Sequence, residues 1–354
     1  MSTDDSLIEI MFRAKQVYLA RYAGRVLDPH ELLKLTRELG TRLATAVFYL
    51  SVLDSEPHQS FNRELLGKKD LLPNGNAVGE RISNGPSADY EVTIVASQLF
   101  QSGRQWGDHA PIWKKWARDL GFTTDTIETD AKKSIVENAR IIHQYLNTEP
   151  HLRRILVTYG QGASEFRFLL QRMAPVKPTR GKGLGSVLSW INIAGSFNGQ
   201  STYRYSRNDW RRKIWHSLNC RIHGRPTSLN EQLSPDFSLW KNPFLVPPNM
   251  MITSVVGLPF PSQLPPRLLP TYQRLGQDMP NDGVVNVLDS IIDSSLIVPV
   301  LGMSHAAEPA ILEPVFKRLL LQNLKILTAT LSFSSRSQTL ISASSSPEIN
   351  LDQI

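Results

Sequence analysis

The chain has 354 residues, of which 41% are hydrophobic and 20% charged. That is enough to bury a large core in one α/β domain with an insertion, or in two smaller domains. A single cysteine, Cys220, excludes an intramolecular disulfide framework, and no window reaches the roughly 18 to 20 uninterrupted apolar residues that span a bilayer. The start MSTDDSLIEIMF lacks the basic opening and small-residue cleavage site of a secretory signal, so a cytoplasmic location is expected.

The net charge of +7 is unevenly placed: residues 151–225 hold 14 Lys and Arg against only Glu165 and Asp209, which leaves the remainder net negative. A local basic field of this kind can steer an anionic partner or a membrane surface, or simply keep the surface solvated.

In chain order, residues 6–23 and 28–54 read as helices, the second opened by Asp28 as N-cap with Pro29 at the first helical position. Leu32, Leu35, Leu39, Leu43, Val47 and Leu50 recur at helical spacing, so residues 1–55 are expected to form a helical extension that packs on something. Residues 56–89, rich in Gly, Asn, Pro and Ser, read as a linker.

Beyond the linker, β-branched runs alternate with helical stretches. YEVTIVAS is followed by a helix over 113–120, FTTDTIET by one over 136–146, and RRILVTY by one over 163–173. This pattern predicts an α/β fold with a mostly parallel, doubly wound sheet. SVLSWINIAG, MMITSVVG and LIVPVLG add further strands, which places the main domain at residues 90–330. Between the first two of these, residues 198–248 read as a helical cap insertion. From residue 331 to 354 the chain is serine-rich and is expected to be a flexible tail.

The chemistry-bearing residues cluster at three places. RRILVTYGQGASEFRFLL supplies a strand, a sharp turn and a helix, with Gly160 at the apex between Thr158 and Gly162. A nucleophile elbow has this form, but a glycine carries no attacking atom. Asp282 follows in the loop PNDGVVNV, and His305 stands just after the last strand in LGMSHAAEP. Nucleophile position, acid and base thus occur in that order at the carboxyl ends of predicted strands, where a carboxylate can orient an imidazole.

With these residues the chain resembles the α/β-hydrolase superfamily, and NDGVV followed by SH is similar to the acid and histidine loops of bacterial lipases and lipase-like esterases. The resemblance covers about residues 90–325. It implies that Asp282 and His305 are the acid and base, that Gly160 occupies the nucleophile position, and that the backbone N–H of Gln161 is one oxyanion donor. It assigns the second donor to Gln98, in a loop that lacks the family's glycine-rich signature.

It also implies an acyl or other small-molecule ligand in the cleft, with no cofactor and no metal. Without a serine, ordinary esterase chemistry should be off. Three readings remain open: a natural pseudoenzyme, a non-covalent enzyme that uses His305 and Asp282 as its base, or a chain in which a serine has been replaced.

Other patterns weigh less. Gly160-x-Gly162 could open a dinucleotide loop, but Glu165 stands where a third glycine is needed. His216, Cys220 and His223 lack a completing metal ligand. Ser164 lies one helical turn past the apex and Ser304 should face away from the site, so neither replaces the nucleophile. Arg207, Arg211, Arg212 and Lys213 interleave with Trp210, Ile214, Trp215 and Leu218, which suits a lid or an anionic surface. Nucleic acid is disfavoured because the aromatics form no stacking platform.

Overall fold

The computed structural model describes residues 6–66, 86–97, 109–130, 133–173, 183–200, 232–234, 236–241, 244 and 246–343. Four helices come first: α1 (Leu7–Arg21), α2 (Pro29–Leu39), α3 (Thr41–Asp54) and α4 (His58–Leu66). Strand and helix then alternate through β1 (Tyr90–Ser97), α5 (His109–Asp119), β2 (Thr123–Thr129), α6 (Ile135–Thr148), β3 (Arg153–Tyr159) and α7 (Gln161–Met173). Strands β4 (Val187–Ile193), β5 (Met251–Leu258) and β6 (Leu296–Leu301) complete the sheet ahead of a long helix, Pro309–Ala343.

The six strands are all parallel, in the order β2-β1-β3-β4-β5-β6. Strands buried on both faces carry near-continuous apolar runs, and β3 and β5 do so (Ile155, Leu156, Val157; Val255, Val256, Leu258). On one face α5 and the C-terminal helix pack through Trp113, Trp116, Phe316 and Leu320. On the other, α6 and α7 pack through Ile142, Leu146, Phe166 and Leu169. The α/β class and the doubly wound sheet expected from the sequence are those observed.

Four expectations need correction. The helix read over 28–54 is two helices, because Gly40 adopts φ +81°, which ends α2 and opens α3 at a new angle. The helices of residues 1–55 are also an integral layer. Leu32, Leu35, Phe48 and Val52 share a core with Val256, Leu258 and Ile297, so α1–α3 continue the α6/α7 layer over β5 and β6.

Third, the stretch read as linker contains α4, with Phe61 and Leu65 in the core; residues 67–85 lie outside the described part. Last, the backbone expected to be a loose tail is helical to Ala343, since propagating an established helix costs little. Residues 344–354 lie outside the described part, as do residues 201–231, where the sequence led to the expectation of a basic helix in a cap and where His216, Cys220 and His223 fall.

Helix α4 has a specific task. Strand β6 is an edge, and an unpaired edge exposes backbone donors and acceptors. The Ile297 N–H donates to His58 Nδ1 at 3.2 Å, while Asn62 Nδ2 donates to the Ile297 carbonyl at 2.9 Å, so two side chains of α4 stand in for a neighbouring strand.

The imidazole must be neutral to accept that bond, and burial lowers its pKa, partly opposed by Glu56. A histidine lowered in the folded state binds its proton first in the unfolded chain, so stability is lost as pH falls below the ordinary histidine value. Thermal unfolding of wild type and His58→Gln across pH 8 to 5 should show a smaller acid-side loss in the variant. Equal slopes would contradict this role.

Candidate active site

Parallel strands bring their carboxyl ends to one edge, and three of the connections leaving that edge carry the candidate residues. At the end of β3 the chain passes into α7 through a single residue, Gly160, at φ +51°. The left-handed conformation costs a residue with a Cβ about 1 to 2 kcal/mol, and glycine removes the penalty. The Gly160 carbonyl accepts from the Ser196 N–H at 2.9 Å and from Ser196 Oγ at 3.1 Å, which ties the turn to the segment after β4. Two residues on, a Cβ on Gly162 would stand 3.2 Å from Val95 Cγ1, so α7 starts in close contact with β1.

The second connection, between β5 and β6, presents Asp282. Its Oδ1 accepts from the backbone N–H groups of Val284 (2.9 Å) and Val285 (2.7 Å), a local turn that Gly283 permits at φ +100°. This leaves Oδ2 for His305, whose Nδ1 lies 2.8 Å away. The His305 N–H also donates to the Asp282 carbonyl at 2.8 Å, so the two loops are joined through backbone and side chain alike.

Both side chains are only 4% exposed. A carboxylate at Nδ1 selects the tautomer with its proton there and makes Nε2 the basic nitrogen.

Tyr159, immediately before Gly160, joins the turn to the histidine loop. Its hydroxyl donates to the His305 carbonyl, and the two rings lie 5.5 Å apart. Burial, with Asp282 and Glu308 adding to it, raises the phenol well above its ordinary pKa, so the donor stays protonated. Behind Tyr159 stand His109 (5.3 Å, edge-on) and Trp113 (5.6 Å, edge-on), which close an aromatic wall.

The structure therefore brings Gly160, Asp282 and His305 to one edge of the sheet and couples the last two directly. Gln161 begins α7 and is buried, whereas Gln98 lies outside the described residues. Ser164 Oγ donates to the Ser196 carbonyl, and Ser304 Oγ donates to Glu308, so both hydroxyls hold loops in place. Among the described residues no group of three His, Cys, Asp or Glu is placed to hold a metal ion, and no helix is long and apolar enough to cross a membrane.

The neighbourhood holds residues the motif reading missed. Tyr159 was visible as the residue before the apex, with no role given to it. Arg167, on α7, anchors the described part of the insertion: its guanidinium lies 4.4 Å from the Phe197 ring and 5.2 Å from that of Trp240, and it donates to the Trp240 carbonyl at 2.8 Å. Burial lowers this group to about 10, so it remains charged at neutral pH.

Glu165 is fully buried one turn past Gln161 and accepts from Gln161 Nε2 (2.9 Å) and Asn138 Nδ2 (2.7 Å). The only signal for it in the sequence is its isolation as an acid within a basic stretch.

Burial pushes the Glu165 carboxyl up to about 7 despite its hydrogen bonds. Between the ordinary 4.5 and about 7 the unfolded chain releases this proton while the folded chain keeps it. Stability therefore falls as pH rises through that window and then levels off, by an amount on the order of 3 kcal/mol. Denaturant unfolding at pH 5 and pH 8 should show Glu165→Gln gaining stability relative to wild type at the higher pH. A constant difference would contradict the buried, protonated carboxyl.

No family model matches the chain, and no curated protein matches it by sequence. Among solved structures it is similar to the metagenomic carboxyl esterase MGS0156, at 14% identity and a TM-score of 0.53, over 90% of this chain and 99% of that one. Weaker likenesses are to the mature lipase BlEst2 of Bacillus licheniformis (16% identity, TM-score 0.47, 68% of this chain and 94% of that one) and to phospholipase PlaB of Legionella pneumophila. The latter has 11% identity and a TM-score of 0.45, over 70% of this chain and 64% of that one. With its parallel six-stranded sheet and flanking helices, the chain has the α/β-hydrolase fold.

Proposed function

We propose that this protein is an esterase- or lipase-derived hydrolase-fold protein that has lost its serine nucleophile and acts by binding an acyl ligand or a partner. The observation that carries this reading is Gly160 at φ +51° at the apex between β3 and α7, beside a hydrogen-bonded Asp282–His305 pair. In this reading the turn is the nucleophile elbow, and the Gln161 N–H, with Gln98 as its partner, is the donor set that would hold a carbonyl oxygen. A glycine apex cannot form an acyl-enzyme, so an acyl group entering the cleft is held and released without a covalent bond. The protein works in the cytoplasm, and the basic stretch 151–225 steers an anionic partner or membrane surface towards it.

A second reading is favoured by the order around Asp282. Its carboxylate accepts from two backbone N–H groups, which fix its orientation, and bonds the His305 ring through the other oxygen, the arrangement a histidine base uses. In this reading His305 takes a proton from water or from the substrate, Asp282 stabilises the imidazolium, and the Gln161 amide receives the developing negative charge.

The two readings separate in one set of assays, hydrolysis of short- and long-chain acyl esters and thioesters by wild type, Gly160→Ser, Gly160→Ser plus His305→Ala, and His305→Ala. The binding reading predicts a flat baseline in wild type and a rise on the order of a thousandfold or more in Gly160→Ser, abolished without His305. Turnover in wild type that His305→Ala removes would replace it with the non-covalent enzyme. Silence in all four would overturn the acyl assignment.

A further inference from the structure

Helix α1 is apolar on two faces. Ile10, Ala14 and Tyr18 point into the core, as an amphipathic surface helix requires. On nearly the opposite side Ile8 is 82% exposed, Phe12 62% and Leu19 58%; with Leu7, four of the six exposed large apolar side chains among the described residues lie on this helix. At 100° per residue, Ile8, Phe12 and Leu19 fall within about 40° of one another, and Lys15 sits beside them. The spacing along the stripe is four, three and four residues, the d-a-d-a seam of a coiled coil.

We infer that this stripe is a contact between two copies of the chain, made by antiparallel pairing of their α1 helices. In an antiparallel pair each a position meets a d position of the other helix, and a two-fold axis at the middle of the stripe sets Ile8 against Leu19 and Phe12 against Lys15. The first pairing buries two aliphatic side chains. The second lays an ammonium over an aromatic face, a favourable cation–π contact that accounts for a lysine in the centre of an apolar seam.

An interfacial membrane helix distributes its residues differently, with cations on the polar face and the apolar face uninterrupted. The paired seam from Ile8 to Leu19 is about 17 Å long at 1.5 Å per residue, so it buries less than the roughly 800 Å² per partner of a standard interface. A contact of this size makes a weak, concentration-dependent dimer.

Analytical ultracentrifugation of the full chain across the micromolar range tests this, with Phe12→Lys and the double variant Phe12→Lys plus Lys15→Glu beside it. Wild type should pass from monomer to dimer. Phe12→Lys, which sets two cations against each other, should weaken association about tenfold or more. The double variant should recover it, because Lys at 12 then meets Glu at 15 of the other copy. Parallel pairing gives no such recovery.

Position 12 is exposed, so an unchanged thermal midpoint will show that the variants fold. A monomer at every concentration, a dimer indifferent to Phe12→Lys, or failure of the double variant to recover would each overturn the inference. So would binding of monomer to phosphatidylserine vesicles through this stripe without self-association.

Discussion

The hydrogen bond between His305 and Asp282 depends on two loops meeting that are 23 residues apart in sequence, one before β6 and one after it. Three features of that end of the molecule serve the meeting. Parallel pairing of β5 and β6 brings the loops to the same edge, Gly283 lets the Asp282 carboxylate fold back on its own backbone, and Tyr159 ties the histidine loop to the turn after β3. The edge strand that carries the histidine is secured in turn by His58 and Asn62 of α4. The N-terminal helices therefore support the strand that leads to His305.

Much of this was legible in the sequence because parallel sheets leave a strong signal. Strands covered on both faces read as near-continuous apolar runs, as β3 and β5 do, and each of the six segments read as strands is a strand in the sheet. Gly160, Asp282 and His305 were legible because a turn with small flanking residues, an Asn-Asp-Gly loop and a post-strand histidine occur in a fixed order.

What escaped notice was tertiary in origin. Nothing local in HQSFNRELL says that its histidine and asparagine will pair with a strand more than 230 residues later. The break at Gly40 was hidden because apolar positions on its two sides continue one helical period. Tyr159 and Glu165 matter through what surrounds them, and a residue's surroundings are not written in its neighbours along the chain.

Two buried groups pull stability in opposite directions with pH. Neutral His58 favours the folded chain above the ordinary histidine range, and protonated Glu165 favours it below about 7. Glu165 bonds the side chain of Gln161, the residue whose amide is proposed to face the ligand. The bond reaches the Gln161 side chain and not its backbone N–H, so the titrating group touches the residue that carries the proposed oxyanion donor without touching the donor itself.

The proposal at the centre of this reading is that Gly160 stands where a serine hydrolase carries its nucleophile, next in order to the Asp282–His305 pair. Its most direct test is labelling with a fluorophosphonate probe, which forms a covalent bond to an activated serine and is read by intact mass. The account predicts no adduct on the chain as it stands and a single adduct at residue 160 in Gly160→Ser. An adduct on the unsubstituted chain, or none on Gly160→Ser in a folded variant, would contradict it.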